Sequence, residues 1–159
     1  MRARNSIIGL SAAAIVMIAS FEGYRGNSYD DGVGVQTIGF GTTANVKPGD
    51  KMDPVRALGL LYRDANEITE QVAQCVGDVP VHQHEADAFI SLSYNIGPTA
   101  FCRSTLVKKL KQSPPDYLGA CNEILRWDKA GGRVLPGLTK RRQQEYQLCM
   151  TDKQQIAEK

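Results

Sequence analysis

From residue 53 onward the apolar positions recur at helical spacing, whereas the preceding thirty or so residues follow a different pattern. Val55, Leu58, Leu61, Tyr62, Ala65, Ile68, Val72 and Cys75 recur at helical spacing. Asp53 suits the N-cap of that helix and Pro54 its first turn, where a missing N–H loses no hydrogen bond; Gly77 and Pro80 follow its expected end near Cys75. A second helix is expected from about His82 to the stop at Gly97-Pro98. It carries Ala86, Phe89, Ile90, Ser93 and Tyr94, and its near-uniform apolarity places it at the centre of a bundle. Ser104 is positioned to cap a short helix ending near Leu110. Pro114-Pro115-Asp116 opens another that runs to Trp127. Gly131-Gly132 and Pro136-Gly137 bound a loop, and a last helix takes Thr139 to about Met150. Residues from Asp152 onward read as a polar tail.

Ahead of residue 53, Gly23, Gly26, Gly32, Gly34, Gly39 and Gly41 interleave with Tyr24, Tyr29, Val33, Val35, Ile38 and Phe40. Short strands joined by tight turns fit this texture, and a small antiparallel sheet is expected over about residues 24 to 45. Asp31-Gly32 reads as a hairpin dipeptide, in a turn type whose two central residues both take positive φ. The pattern as a whole predicts an α+β, mainly helical fold.

The first residues form a third texture. Met1-Arg2-Ala3-Arg4 is a basic start, and Ile7 to Phe21 is an uncharged run with the dimensions of an export-signal core. Half of the positions from Ile7 to Ser20 are Ala, Gly or Ser, so any membrane anchor here is weak beside the roughly 20 strongly apolar residues of a stable span. Cleavage after Ser20 would leave Glu22 with no helix to hold it. Retention is therefore expected, with residues 1-21 a signal-anchor-like segment continuing into the first helix.

A chain of 159 residues with 42% hydrophobic content accommodates one domain with a sizeable core. Its formal charge of +2 is too small to support nucleic-acid binding, and Lys140-Arg141-Arg142 reads as a solvated helix face. Cys75, Cys102, Cys121 and Cys149 form an even set without a C-x-x-C pair, and there are only two histidines. His82 and His84 lie in a helix start and are expected to point apart. No metal site and no cofactor are expected. Two disulfides would place the protein in an oxidising space, four buried thiols in the cytosol; the export-like N-terminus tilts the balance toward the first.

Glycosidic bond cleavage needs an acid to protonate the leaving oxygen and a second carboxylate to direct water or stabilise developing positive charge. Glu22 sits where an apolar helix gives way to the sheet, a setting expected to desolvate the carboxyl and raise its pKa. Asp31, at a turn, is expected to be more solvated and ionised. Singly, each residue has a plain structural reading: the charge ending a signal core, the first residue of an Asp-Gly turn and, for Thr37, a β-branched strand residue. Their joint spacing gives them weight.

Phe21-Glu22-Gly23-Tyr24, Tyr29-Asp30-Asp31-Gly32 and Thr37-Ile38-Gly39-Phe40-Gly41-Thr42 together resemble the active-site signature of phage lysozymes, the endolysins of glycoside hydrolase family 24. Phe89 to Gly97 resembles the central helix of that family, Ser104-Thr105-Leu106 the next helix start, and Arg126-Trp127 through Leu138 with Arg141-Arg142 the C-terminal cleft wall. The resemblance spans roughly residues 15 to 150. It implies a lysozyme-like two-lobed domain over 22-150, with a β lobe of about 23-50, a helical lobe of about 53-150 and a tail at 151-159.

The resemblance places the general acid on Glu22, the catalytic aspartate on Asp31 and the water-positioning threonine on Thr37; Asp30 is one residue off the spacing. It implies hydrolysis of the β-1,4 bond between N-acetylmuramic acid and N-acetylglucosamine in peptidoglycan, with inversion, by a monomer that lyses the host cell. Phe40 and Gly41 would line the sugar cleft, and Asn95 would be a buried structural residue. Within such a fold the cysteines would pair Cys75 with Cys102 and Cys121 with Cys149, and none falls in the catalytic segment. The N-terminus resembles the signal-anchor-release segments of certain phage endolysins. It implies a protein exported to the periplasm, tethered inactive to the inner membrane and activated on release, when Ile15, Ile18 and Glu22 would share one helix face. The alternative is an inactive peptidoglycan-binding module of the same fold, disfavoured because Glu22, Asp31 and Thr37 are all of the competent type.

Overall fold

The computed structural model describes residues 9–32 and 34–151. The basic start, Val33 and the tail from Asp152 lie outside the described residues. The elements run α1 (Ala12–Glu22), β1 (Arg25–Asp30), β2 (Gln36–Gly39), α2 (Pro54–Val76), α3 (Gln83–Ile96), α4 (Pro98–Arg103), α5 (Thr105–Leu110), α6 (Tyr117–Ile124), β3 (Lys129–Ala130), β4 (Arg133–Val134) and α7 (Pro136–Cys149). The fold is mainly helical, with two small antiparallel sheets, as the sequence pattern predicts. The chain divides into two compact units, one of Ala12–Glu67 and the other of Met1–Ser11 with Ile68–Lys159; α2 supplies residues to each.

In the Ala12–Glu67 unit, α1 buries Ala14, Ile15 and Ile18 but leaves Val16 66% exposed, because its apolar residues surround the helix instead of forming one stripe. Gly23 ends it with φ +71°, its N–H donating to the Ala19 carbonyl at 3.0 Å. β1 and β2 pair antiparallel, Tyr29 opposite Thr37 and Asp30 opposite Gln36, with an irregularity between Arg25 and Tyr29. The connection differs from the expected two-residue turn: β1 ends at Asp30 and β2 starts only at Gln36. Among the described residues only Asn45 is a non-glycine with positive φ, so Asp31 does not take the tight-turn conformation, and Gly32 and Gly34 supply the left-handed positions. Residues 50–52 lie along β1 through Ser28 N–H to Asp50 O, Met52 N–H to Gly26 O and an Asn27–Lys51 bridge.

In the other unit, Ala88, Phe89 and Leu92 of α3 pack in a core with Phe101, Leu106, Leu110 and Ile124. Full burial of one such Phe or Leu side chain contributes about 1.5–3 kcal/mol. α3 is less apolar than expected, since it also buries Glu85, Asp87, Ser91 and Ser93. Each of the first three has a partner that offsets its desolvation: Glu85 accepts from the His82 N–H at 2.8 Å, Asp87 from the Ser11 hydroxyl at 2.7 Å, and the Ser91 hydroxyl donates to Glu145 at 2.7 Å.

Several boundaries differ from expectation. Gly97-Pro98 ends α3 and also starts α4, because proline suits the first turn of a helix as well as the position after one. α6 stops at Ile124, before Trp127, and α7 starts at Pro136, before Thr139. The 129–135 segment holds a two-residue-strand hairpin turning at Gly131 (φ +55°) and Gly132 (φ +76°), not an open loop. The His82 and His84 rings stack 5.2 Å apart instead of diverging, because His82 is the extended N-cap (φ −78°, ψ 158°) and not yet helical. Disulfides join Cys75 to Cys102 and Cys121 to Cys149, with Cα separations of 5.3 and 5.8 Å.

Ser104, the expected cap of α5, accepts the Val107 N–H on its hydroxyl at 3.3 Å. Ser104→Ala should therefore lower stability by about 1 kcal/mol, read as a shift in the urea midpoint at unchanged slope.

Candidate active site

Glu22 closes α1, and the left-handed Gly23 turns the chain from its carboxyl into β1. The side chain is half-buried. Gly41, at φ +95°, returns the chain to it, so closely that a Cβ built on Gly41 would lie 4.0 Å from Glu22 Oε2. Gly41→Ala combines a left-handed conformation that costs an L residue roughly 1–3 kcal/mol with a methyl group against the carboxylate. It should reduce both the thermal midpoint and the turnover on peptidoglycan, whereas Gly49→Ala, also left-handed but with open space at its Cβ, should lower the midpoint alone.

Asp31 and Thr37 meet on the backbone of Val35. Asp31 Oδ1 accepts the Val35 N–H at 3.1 Å, and the Asp31 N–H donates to the Val35 carbonyl at 3.1 Å. Thr37 Oγ1 donates to that same carbonyl at 3.4 Å, from a side chain that is only 5% exposed. The exposed aspartate and the buried hydroxyl are thus fixed to a common support. Asp30 serves the loop instead. Its Oδ1 accepts from Gly32 N–H at 2.8 Å and Gly34 N–H at 3.1 Å, organising the segment that holds Asp31. Phe40, half-buried, sets its ring 5.6 Å from that of Tyr24, whose hydroxyl donates to the Met52 carbonyl. All of these residues belong to the Ala12–Glu67 unit.

The other unit holds a buried ionic cluster that the sequence pattern did not announce. Arg141 and Arg142 are buried, not the solvated face expected of the Lys140-Arg141-Arg142 run. Arg142 and Glu145 are each 0% exposed, with Arg142 Nε 2.7 Å from Glu145 Oε2 and Nη2 2.9 Å from Oε1; Arg141 Nε reaches Oε1 at 3.3 Å. Burial pushes the Glu145 carboxyl above its ordinary range and pulls the Arg142 guanidinium below its own, each against the attraction of its partner. The one available signal was the spacing: a carboxylate four residues after Arg141 and three after Arg142 falls on the same helical face as both. Asn95, expected to be buried, is exposed, and its Oδ1 accepts from Arg142 Nη1 at 3.0 Å.

The phage lysozyme family model matches residues 19–145. An endolysin of Acyrthosiphon pisum secondary endosymbiont phage 1 is 41% identical over 143 residues, covering 87% of this chain and 96% of the relative. A SAR-endolysin of bacteriophage PS119 is 32% identical over 163 residues, covering 95% of this chain and 96% of the relative. Among solved structures, the muramidase domain of SpmX from Asticaccaulis excentricus superposes with a TM-score of 0.81 at 28% identity, covering 90% of this chain and 98% of that one. The chain belongs to the phage lysozyme family and is a lysozyme-type peptidoglycan hydrolase.

Proposed function

We propose that this lysozyme lyses its host by hydrolysing the β-1,4 bond between N-acetylmuramic acid and N-acetylglucosamine, with Glu22 as general acid. The observation that carries the reading is the attachment of Asp31 and Thr37 to the backbone of Val35, in the unit whose α1 terminus presents Glu22 beside Gly41. Glu22 protonates the glycosidic oxygen as the bond breaks. Asp31 takes a proton from the attacking water, which the Thr37 hydroxyl orients, and Phe40 and Gly41 contact the sugar. Attack on the face opposite the acid inverts the anomeric carbon, a geometry that needs carboxylates separated by about 6.5–9.5 Å.

The test is the product. Digestion of purified peptidoglycan should release muropeptides ending in reducing N-acetylmuramic acid, formed first as the α anomer. Reducing N-acetylglucosamine ends, or 1,6-anhydro ends from transglycosylation, would overturn the bond assignment.

The same reading includes export in a tethered, inactive form. Among the described residues no helix is long and apolar enough to cross a membrane. A span of roughly 20 residues would have to begin near Asn5, ahead of α1, and would run past Glu22. A carboxyl held at the bilayer boundary cannot meet the glycan, and Arg2 and Arg4 would keep the N-terminus cytoplasmic. The high Ala, Ser and Gly content of the segment favours exit into the periplasm, after which Ile15 and Ile18 are buried as the structure has them. Replacing Ala12, Ala13 and Ala14 together with Leu should retain the protein in the membrane fraction and suppress lysis after depolarisation; release of soluble, active enzyme as in wild type would sink the idea.

A further inference from the structure

We infer that Asp87 and Gln83, one turn apart on α3, form a latch that receives the chain at Gly9 and Ser11 once the N-terminal segment has left the membrane, and so makes its release one-way. This inference rests on the tethered-export reading above. Asp87 Oδ1 accepts the Ser11 N–H at 3.2 Å, and its Oδ2 accepts the Ser11 hydroxyl at 2.7 Å. Gln83 Nε2 donates both to Asp87 Oδ1, at 2.9 Å, and to the Gly9 carbonyl, at 2.8 Å. Between these two anchor points Leu10 packs against the helical core. All of these residues belong to one compact unit, and α1 begins at the next residue, Ala12.

The latch supplies what α1 lacks on its own. Its 11 residues are too few for a helix to hold itself in water, and no acidic residue lies in its first turn. Ser11 is of the N-cap type, but three residues on stands Ala14, not the Glu or Gln that accepts the N–H of the cap in a capping box. Asp87 takes that role from another helix. The dependence is mutual. Asp87 is only 4% exposed and, among the described residues, is in no ion pair; Ser11 provides two of the three hydrogen bonds that its carboxylate accepts. Leaving that carboxylate without Ser11 is costly, so the site favours a docked strap.

The membrane-spanning form cannot make these bonds. In a continuous span beginning near Asn5, the N–H at position 11 is bonded to the carbonyl four residues earlier, and the serine hydroxyl lies in lipid. One N–H therefore has two exclusive partners, and they define two states of the segment. Lipid favours the first through the apolar run, and Asp87 favours the second through charge-assisted bonds. The run is rich in Ala, Gly and Ser, so its hold on the bilayer is weak enough for bonds of this size to decide. The core partners of α3, Phe101, Leu106 and Ile124 among them, come from later in the chain, so the receptor is built without the segment it receives.

The experiment adds vesicles of phosphatidylethanolamine and phosphatidylglycerol to the purified released enzyme and measures, by flotation after a high-salt wash, how much full-length chain returns to lipid. Asp87→Ala should raise the ratio of vesicle-bound to free protein about tenfold over wild type, the scale of one charge-assisted hydrogen bond. Asp87→Asn, which keeps one acceptor oxygen, should raise it by less, and Gln83→Ala should act in the same direction. Without lipid, all three should turn over peptidoglycan as wild type does, which reports that they fold. Ser104→Ala, a destabilising change elsewhere in the same unit, should leave the ratio unmoved. If Asp87→Ala does not fold, Asp87→Asn and Gln83→Ala decide alone. Wild-type ratios in the folded variants, or an equal rise in Ser104→Ala, would overturn the latch. The tethering reading fails separately, and takes the latch with it, if wild type is recovered in the soluble fraction of cells before depolarisation.

Discussion

Glu22→Gln should abolish nearly all turnover on purified peptidoglycan while leaving the fold as stable as wild type or slightly more so. The amide keeps the shape of the half-buried side chain beside Gly41 but has no proton to deliver to the leaving oxygen. General acid catalysis contributes roughly 10²–10⁴-fold, so turnover should fall by that range. Stability is expected to move the other way. Glu22 is the last residue of α1, where the carbonyl ends of the helix repel a negative charge, and neutralising it relieves about 0.3–1 kcal/mol. Lost activity with a raised thermal midpoint would mark a residue retained for chemistry at some expense of stability. Wild-type rates in the variant would remove Glu22 from the mechanism. Asp31→Asn supplies the complement: turnover should also fall, but the carboxamide oxygen introduced there can still accept the Val35 N–H, so the loop persists.

The parts of this protein that were legible in its sequence are those governed by local rules. α2 could be read from Asp53 to Cys75 because its cap, its proline and its apolar spacing all agree; the Asp53 carboxylate does accept the Arg56 N–H, at 3.0 Å. The Glu22, Asp31 and Thr37 spacing was visible because the three lie within one short stretch of chain, so no long-range packing had to be foreseen to bring them into one unit. Features that depend on distant partners were hidden. Nothing near Arg142 in sequence announces Ser91 or Asn95, and a Lys-Arg-Arg run looks like surface until its contacts with α3 are known. The β3–β4 hairpin has no sequence signature of its own, because strands of two residues are too short to show alternation. α4 is hidden in the sequence because Pro98 both terminates α3 and opens the next helix, so the pattern shows a stop where the chain also starts anew.

The buried cluster yields the largest expected loss of stability. Glu145→Ala leaves Arg142 fully buried, and Arg141 nearly so, without the carboxylate that both approach. Breaking a buried pair from one side costs about 3–5 kcal/mol, a large share of the roughly 5–15 kcal/mol that holds a domain folded. The direction of both pKa shifts sharpens the expectation, since desolvation outweighs attraction for Glu145 and for Arg142 alike. The ion pair then holds no advantage over an apolar pair of similar volume. Arg142→Met/Glu145→Met should accordingly recover most of what Glu145→Ala loses, the remainder reflecting Arg141 and the Ser91 hydroxyl that also bonded Glu145. Urea unfolding with both disulfides intact measures this. A cost below about 1 kcal/mol for Glu145→Ala would show that water reaches the site and solvates the arginines. A double variant as unstable as the single one would instead show that the pair specifies the packing of α7 against α3, with Asn95 held in place by the same guanidinium.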